Sequence, residues 1–469
     1  MNADEFRNQG HRVVDWVADY LENIDKYPVK SQVSPKEIYD KLPDSPPLEG
    51  EEFDELIRDL DEIIMPGITH WQHPSFFAYF NANNSYPSIL AEIITAGIGA
   101  QCMVWDTSPA AAELEERVMN WFKEMMNLPS AWHGVIQDTA STATLASMIS
   151  AREKKTGHKI NKEGFNDEKL RVYCSEQTHS SIEKGAKIAG FGKKNLVIVP
   201  VREDLSMDHL MLEKSIIEDI ENGFTPCIVI STQGTTGTLA FDDVKEIGEI
   251  SRKYDCWHHV DAAWAGNAYL LPEFRKLTDG FDKVDSYVFN PHKWLFTNFD
   301  ASAYFVKNKD QLISTFEILP EYLKTNTRGK VNDYRDWGIP LGRRFRALKL
   351  WFVIRTYGVK GLQQKISEHI RLAEWLEEQI VHHSEFELMA PRTMNLIVFR
   401  FNPGKFSEEE LNELNEKLLN RINESGDAFI THTRVHSSYV IRVNIGGTAI
   451  KKIHLAGIWD ALQKYSRLL

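Results

Sequence analysis

Cysteine is scarce in this chain: four residues in 469, at positions 102, 174, 227 and 256, with no CxxC pair among them. The scarcity argues against a disulfide framework and against a cysteine-based zinc site, and leaves reduced, mostly buried thiols as the expectation. Basic charge is also short, with 54 Lys and Arg against 67 Asp and Glu and a formal net charge of -13. Gripping a phosphate backbone takes clustered cations, so the balance speaks against a nucleic-acid partner. The one dense basic run, Arg343, Arg344, Arg346 and Lys349, lies in a stretch that reads as helix, and a solvated or subunit-facing surface is expected for it. Long apolar runs are missing as well. The most apolar, Ile89 to Trp105, is broken by Glu92 and Gln101 and reads as a buried helix, not as a membrane span. The opening residues carry acids where a secretory signal carries basic residues, so a cytoplasmic protein is expected. Repeats and low-complexity segments are absent, and 42% hydrophobic residues suit an ordinary globular chain of two or three domains.

Three stretches differ in pattern. In residues 1–85 apolar residues recur at helical spacing (Phe6, Val13, Val14, Val17, Tyr20, Leu21), a Pro-rich passage follows, and Phe53 to Ile64 is again amphipathic. With little core of its own, this part reads as a helical segment for wrapping and dimerisation. Residues 86–357 alternate helical stretches with short apolar runs at Leu170–Ser175, Leu196–Pro200, Pro226–Ser231, Cys256–Asp261 and Ser286–Asn290. That alternation predicts an α/β domain with a mostly parallel sheet covered by helices, whose ligands bind beyond the carboxyl ends of the strands. Residues 358–469, with a long helix from Leu362 to His382 and strands at Leu396–Phe401 and Ser438–Val443, read as a smaller α+β domain.

The chemistry-bearing residues gather at the predicted strand ends. Lys293, in Asn290-Pro-His-Lys-Trp, follows one strand, although a lone lysine is usually a surface residue. Asp261 ends another and, taken singly, is an ordinary helix cap. With a lysine nearby, it is also suited to pair with a cationic ring such as the pyridinium of pyridoxal phosphate (PLP). At about 4 Å and an effective dielectric near 20 such a pair gains roughly 4 kcal/mol, about three pKa units, enough to keep the ring protonated. His259 shares a strand face with Asp261, but no third ligand is evident, so a core histidine is favoured over a metal ligand. The run Gln137 to Thr144 offers backbone N–H groups and hydroxyls at a helix start, as phosphate binding requires. Thr236 lies in a Gly-rich turn after another strand, and His179 follows a further strand, where an imidazole can stack on a planar ring.

Combined, Thr178-His179-Ser-Ser, His259-Val-Asp261-Ala-Ala and Asn290-Pro-His-Lys293-Trp resemble the group II PLP-dependent decarboxylases, in particular the aromatic-L-amino-acid decarboxylases. The similarity also takes in His70-Trp71, Phe77-Ala-Tyr79-Phe80, Ser85-Tyr86-Pro87, Asp333-Tyr-Arg335 and Pro340 to Phe345, and weakens after about residue 380. It implies a type I PLP fold, like that of aspartate aminotransferase, in a homodimer whose active site lies at the subunit boundary. By the same resemblance Lys293 carries the cofactor as a Schiff base, Asp261 pairs with its ring nitrogen, and His179 stacks on the ring. Ala140, Ser141 and Asn290 hold its phosphate, while Thr236, Ala263 and His292 line the cofactor. Tyr79, Phe80 and Trp71 form the substrate wall with Gly342 and Met103, the region of Met103 coming from the other subunit. Tyr322 matches the tyrosine of the family's catalytic loop that protonates Cα; a phenylalanine there would imply an aldehyde product. Gly342 resembles indole-accepting members, whereas Asn81, Ala82, Gln101 and Met103 depart from the animal enzymes, so tryptophan, tyrosine, phenylalanine and DOPA all remain open. Aldehyde synthesis and decarboxylation of glutamate or histidine are the alternative reactions. A non-catalytic binding module is the reading that loss of Lys293 or Asp261 would have supported.

Overall fold

The chain opens on helix α1, Ala3–Glu22, started by a reciprocal cap. The Asn2 side chain accepts from the N–H groups of Asp4 and Glu5, and Glu5 accepts from Asn2 N–H at 2.6 Å. None of its residues is fully buried, and Phe6, Val13 and Val14 stay exposed. In this computed structural model, which describes residues 1–318 and 329–469, the chain divides into two compact units. One comprises Met1–Asn81, Arg371–Ala390 and Asn395–Leu469; the other comprises Ala82–Ile370 and Pro391–Met394.

The larger unit is built on a seven-stranded sheet. In chain order its strands are β1 (His133–Gln137), β2 (Leu170–Ser175), β3 (Leu196–Val199), β4 (Thr225–Thr232), β5 (Trp257–Asp261), β6 (Ser286–Phe289) and β7 (Ser302–Val306), and in space β1-β7-β6-β5-β4-β2-β3. All pairings from β6 to β3 are parallel, and β7 runs antiparallel to both β6 and β1. Two reversals restore direction, so β1 ends at the same edge as β4, β5 and β6. Residues of β5 and β6 are buried throughout, as a sheet covered on both faces requires. The five expected strands of this unit form within a residue or two of their predicted bounds. β1 and β7, which are not among the strands expected from the sequence, complete the sheet.

Around it lie α2 (Tyr86–Ile98), α3 (Pro109–Met126), α4 (Ala140–Thr156), α5 (Ser181–Ile188) and the first part of α6 (Arg346–Val381). Gly358, at φ +64°, kinks α6. Helix α2 corrects one expectation. Tyr86, Leu90, Ile93, Ile94 and Ile98 are not buried within the chain but 42% to 59% exposed. Residues at this spacing line one apolar face of the helix.

The basic run is corrected too. It precedes and begins α6, and two of its cations are interior. Arg343 forms a two-pronged pair with Glu115 (2.6 and 3.1 Å), and Lys349 reaches Glu92 at 2.6 Å. Hydropathy alone reads such residues as solvated, because it carries no information on distant carboxylates.

The smaller unit holds an antiparallel sheet ordered β10 (Thr431–Val435), β11 (Ser438–Asn444), β9 (Leu396–Phe401), β8 (Phe386–Leu388). Phe77, Leu376, Phe399, Ile441 and Leu462 belong to its apolar core, against α7 (Glu408–Ser425) and α8 (Lys452–Ser466). The N-terminal 81 residues thus belong to the same unit as this sheet.

Candidate active site

Strand β5 ends in Asp261, buried and fixed by the N–H of Ala263, which donates to its Oδ1 at 3.0 Å. Next to it in register lies Thr232, the last residue of β4, whose hydroxyl is 3.4 Å from that of Thr178. One residue beyond Thr178 stands His179, its Nδ1 accepting from the Ser181 N–H at 3.2 Å. The outer face of the ring is exposed, yet surrounding protein lowers its pKa below the ordinary value. Asp261 opposes that shift, and Lys293 and Lys184 add to it. His179, Asp261 and Lys293, distant in sequence, therefore share one electrostatic neighbourhood.

After β6 the chain turns through Asn290 into the short helix Pro291–Trp294 that carries Lys293. This turn is held from several sides. Asn83 donates its backbone N–H to the His292 carbonyl at 3.0 Å and its side-chain amide to the Lys293 carbonyl at 2.6 Å. Trp294 stacks on Trp264 at 5.1 Å and donates its indole N–H to His369 at 2.9 Å. Nδ1 of His292 accepts from the Ala301 N–H, and burial pushes its pKa down to about 3, so its neutral ring carries its proton on Nε2.

Asn290 is buried, and its carbonyl oxygen Oδ1 accepts from Ser302 Oγ at 2.7 Å. The same hydroxyl lies 3.4 Å from the Asp138 carbonyl, which joins Asn290 to the loop between β1 and α4. That loop ends in Thr139, the cap of α4, so Ala140 and Ser141 form the first turn of a 17-residue helix, with Ser141 exposed. The first N–H groups of a helix have no partner within it and attract anions. Thr236 stands exposed in the turn after β4, while Gly234 (φ +87°) lies so close to Ala265 that a Cβ would come within 2.6 Å of it.

Lys293, Asp261, His179, Asn290, Ala140, Ser141, Thr236, Ala263 and His292 all lie in the larger unit, at or just after strand ends of its carboxyl edge. Met103 and Gly342 are joined elsewhere in that unit. The Met103 carbonyl accepts from the Arg335 N–H at 2.9 Å, the Arg343 N–H donates to Gln101 Oε1 at 2.8 Å, and a Cβ on Gly342 would stand 3.2 Å from Gln101 Nε2. Trp71, Tyr79 and Phe80 belong to the smaller unit. There Trp71 stacks on Tyr79 at 5.7 Å, Phe429 meets Tyr79 edge-on, and the buried Arg442 lies over Phe80 at 5.2 Å. Tyr322 lies outside the described residues.

Asn83, Ser302 and Trp264 support the site without having stood out in the sequence. Each acts across a long sequence separation, and none belongs to a pattern that periodicity or spacing reveals.

The chain is similar to known proteins along its whole length. Residues 35–402 match the family described as "Pyridoxal-dependent decarboxylase conserved domain". The whole chain aligns at 40% identity with 94% of a protein named tyrosine decarboxylase 4 from Petroselinum crispum. It aligns at 39% with 95% of a phenylacetaldehyde synthase from a Rosa hybrid cultivar, again over its full length. The crystal structure of Oryza sativa TDC with PLP and tryptamine matches all of this chain and 99% of that one, with a TM-score of 0.97 at 34% identity.

Proposed function

This chain belongs to the pyridoxal-dependent decarboxylase family, and from that premise we propose how its residues divide the work of removing the carboxylate from an aromatic L-amino acid. The architecture is the type I fold, the cofactor is pyridoxal 5'-phosphate, and the products are the arylalkylamine and CO2. The observation that supports the residue assignments is the shared electrostatic neighbourhood of His179, Asp261 and Lys293, with Asn290 tied through Ser302 to the loop that starts α4.

The donor set fits the cofactor group by group. Lys293 would hold the aldehyde carbon, Asp261 would face the ring nitrogen, His179 would cover one ring face, and Ala140, Ser141 and Asn290 would take the phosphate. Thr236, Ala263 and His292 would line the remainder. When bound, PLP supplies a protonated ring that withdraws electrons from the bond to the departing carboxylate.

The remaining work belongs to the protein. Asp261, held rigid by the Ala263 N–H, keeps its charge aimed in one direction. His292, neutral and with only Nε2–H free to donate, suits the carboxylate side of the substrate. Trp71, Tyr79, Phe80, Met103 and Gly342 provide an aromatic and small-residue wall for the substrate ring. Tyr322 delivers the proton to Cα, and its hydroxyl favours amine over aldehyde. The aldehyde reading keeps one specific support, the likeness to a phenylacetaldehyde synthase.

The working form is a homodimer, with residues 1–85 as its wrapping segment and the exposed stripe of α2 as part of the contact. The protein works in the cytoplasm, a reading supported by four free, buried cysteines. Among the described residues no helix is long and apolar enough to cross a membrane.

Product analysis by mass spectrometry, with tryptophan, tyrosine, phenylalanine, DOPA, histidine and glutamate supplied together with PLP, tests the proposal. Aromatic amines should form, and Lys293→Ala should abolish them. Aldehydes as main products would move the enzyme to the oxidative branch, and amine formation that survives Lys293→Ala would remove the lysine from its role.

A further inference from the structure

We infer that His259 is a positioning residue for the cofactor site: its buried ring ties together the elements that present the phosphate-binding turn, Asp261 and Lys293. This rests on the PLP reading above and adds a residue to it. His259 lies two residues before Asp261 on the same face of β5. Its Nε2 is 3.0 Å from Thr144 Oγ1, and its Nδ1 is 3.1 Å from Ser147 Oγ and 2.8 Å from Ser286 Oγ. Thr144 and Ser147 stand on α4, one and two turns beyond Ala140 and Ser141. Ser286 opens β6, the strand that leads to Asn290 and Lys293.

The ties extend further. Ser147 Oγ meets Tyr304 OH at 2.8 Å, and Tyr304 is on β7, the strand of Ser302. Trp257, at the start of β5, donates its indole N–H to Ser286 Oγ at 2.7 Å. Every ring in this cluster is buried.

A neutral imidazole offers one donor and one acceptor, and hydroxyls can serve as either, so the network closes without a charge. Burial pushes the His259 pKa down to about 3, in keeping with a neutral ring. Its neighbour His258 differs: it turns to the other face, reaches Ser231 at 2.8 Å, and its Nδ1 has no partner among the described residues. Buried hydrogen bonds add little net stability over apolar packing of the same shape, but each imposes a length and a direction. In this network those constraints fix three cofactor anchors relative to one another.

The test is the rate of PLP release from the purified holoenzyme on dilution, followed by the absorbance of the bound cofactor, alongside the thermal midpoint. Three variants are compared: His259→Phe, Thr144→Val, and Tyr173→Phe as a control that loses a buried hydroxyl contact from β2 to Asp219 (2.9 Å). Thr144→Val should release PLP about tenfold faster and His259→Phe faster still, while Tyr173→Phe should lower the midpoint without changing release. If His259→Phe does not fold, Thr144→Val against Tyr173→Phe decides. Release at the wild-type rate in Thr144→Val, or equal acceleration in the control, overturns the inference alone. A wild-type protein that takes up no PLP overturns the cofactor reading and this inference together.

Discussion

Single residues carry two expectations that solution measurements can check. Tyr322→Phe should cut amine formation and raise the aldehyde share, because the hydroxyl proposed to protonate Cα is lost; unchanged output of both products would remove Tyr322 from the reaction. The second concerns acid. His258, His259 and His292 are buried, and burial pushes each pKa down to about 3. The unfolded chain binds their protons below an ordinary pKa of about 6.5 whereas the fold refuses them, so as pH drops below that value stability is lost at about 1.4 kcal/mol per pH unit for each ring. Asp242 acts in the opposite sense: burial raises its pKa to about 6, so the fold gains as that carboxyl protonates. Three imidazoles outweigh one carboxyl. The thermal midpoint should therefore drop between about pH 7 and about pH 5, and a flat or rising profile would contradict neutral buried rings. Lys293, Asp261 and His179 were legible as candidates because each sits just after a strand. Asn83 and Ser302, which hold the neighbouring backbone and Asn290, were not.

Elements depend on one buried ion pair. Arg343, ahead of α6, binds Glu115 on α3 and also donates to the Ile136 carbonyl at 2.8 Å, while Glu115 accepts from the Ile136 N–H at 2.8 Å. The Cys102 N–H donates to the Arg343 carbonyl at 3.0 Å, so the pair also sets the stretch that holds Gln101 and Met103. Arg343→Met leaves a carboxylate buried alone and should cost about 3–5 kcal/mol in urea unfolding, whereas R343M/E115M together should cost much less. Equal losses in the single and double variants would mean that the two charges do not depend on each other. The sequence placed Arg343 on a solvated or subunit-facing surface because its partner Glu115 lies 228 positions away. Periodicity found the strands of the larger unit's parallel core, since continuous apolar runs mark buried strands, and overlooked β1 and β7, the five-residue strands at the antiparallel end of the sheet.

At the scale of the whole molecule, the proposed homodimer would cover the exposed apolar residues of α1 and α2. A helix that keeps five large apolar residues about half exposed is costly in water, at roughly 25 cal/mol per Å2 of apolar surface left uncovered. Light scattering after size exclusion should give twice the mass of one chain. Ile94→Asp should shift that toward a single chain and lower activity with it, since the resemblance places the active site at the subunit boundary. A wild-type monomer with full activity would remove the dimer from the reading.

Local chemistry determined a good deal. The strand–helix alternation, the lysine, carboxylate and imidazole at strand ends, and the hydroxyl-rich start of α4 were all present in the sequence, because side-chain period and chain punctuation are local properties. Tertiary structure alone decided which of them meet. It set Asp261 against the field of His179, joined Asn290 through Ser302 to the loop before α4, and linked His259 to both α4 and β6. The hydrogen bonds among them span from 12 to 164 residues. Only a folded backbone can bring such distant groups within hydrogen-bond reach, which is why no local pattern announces them.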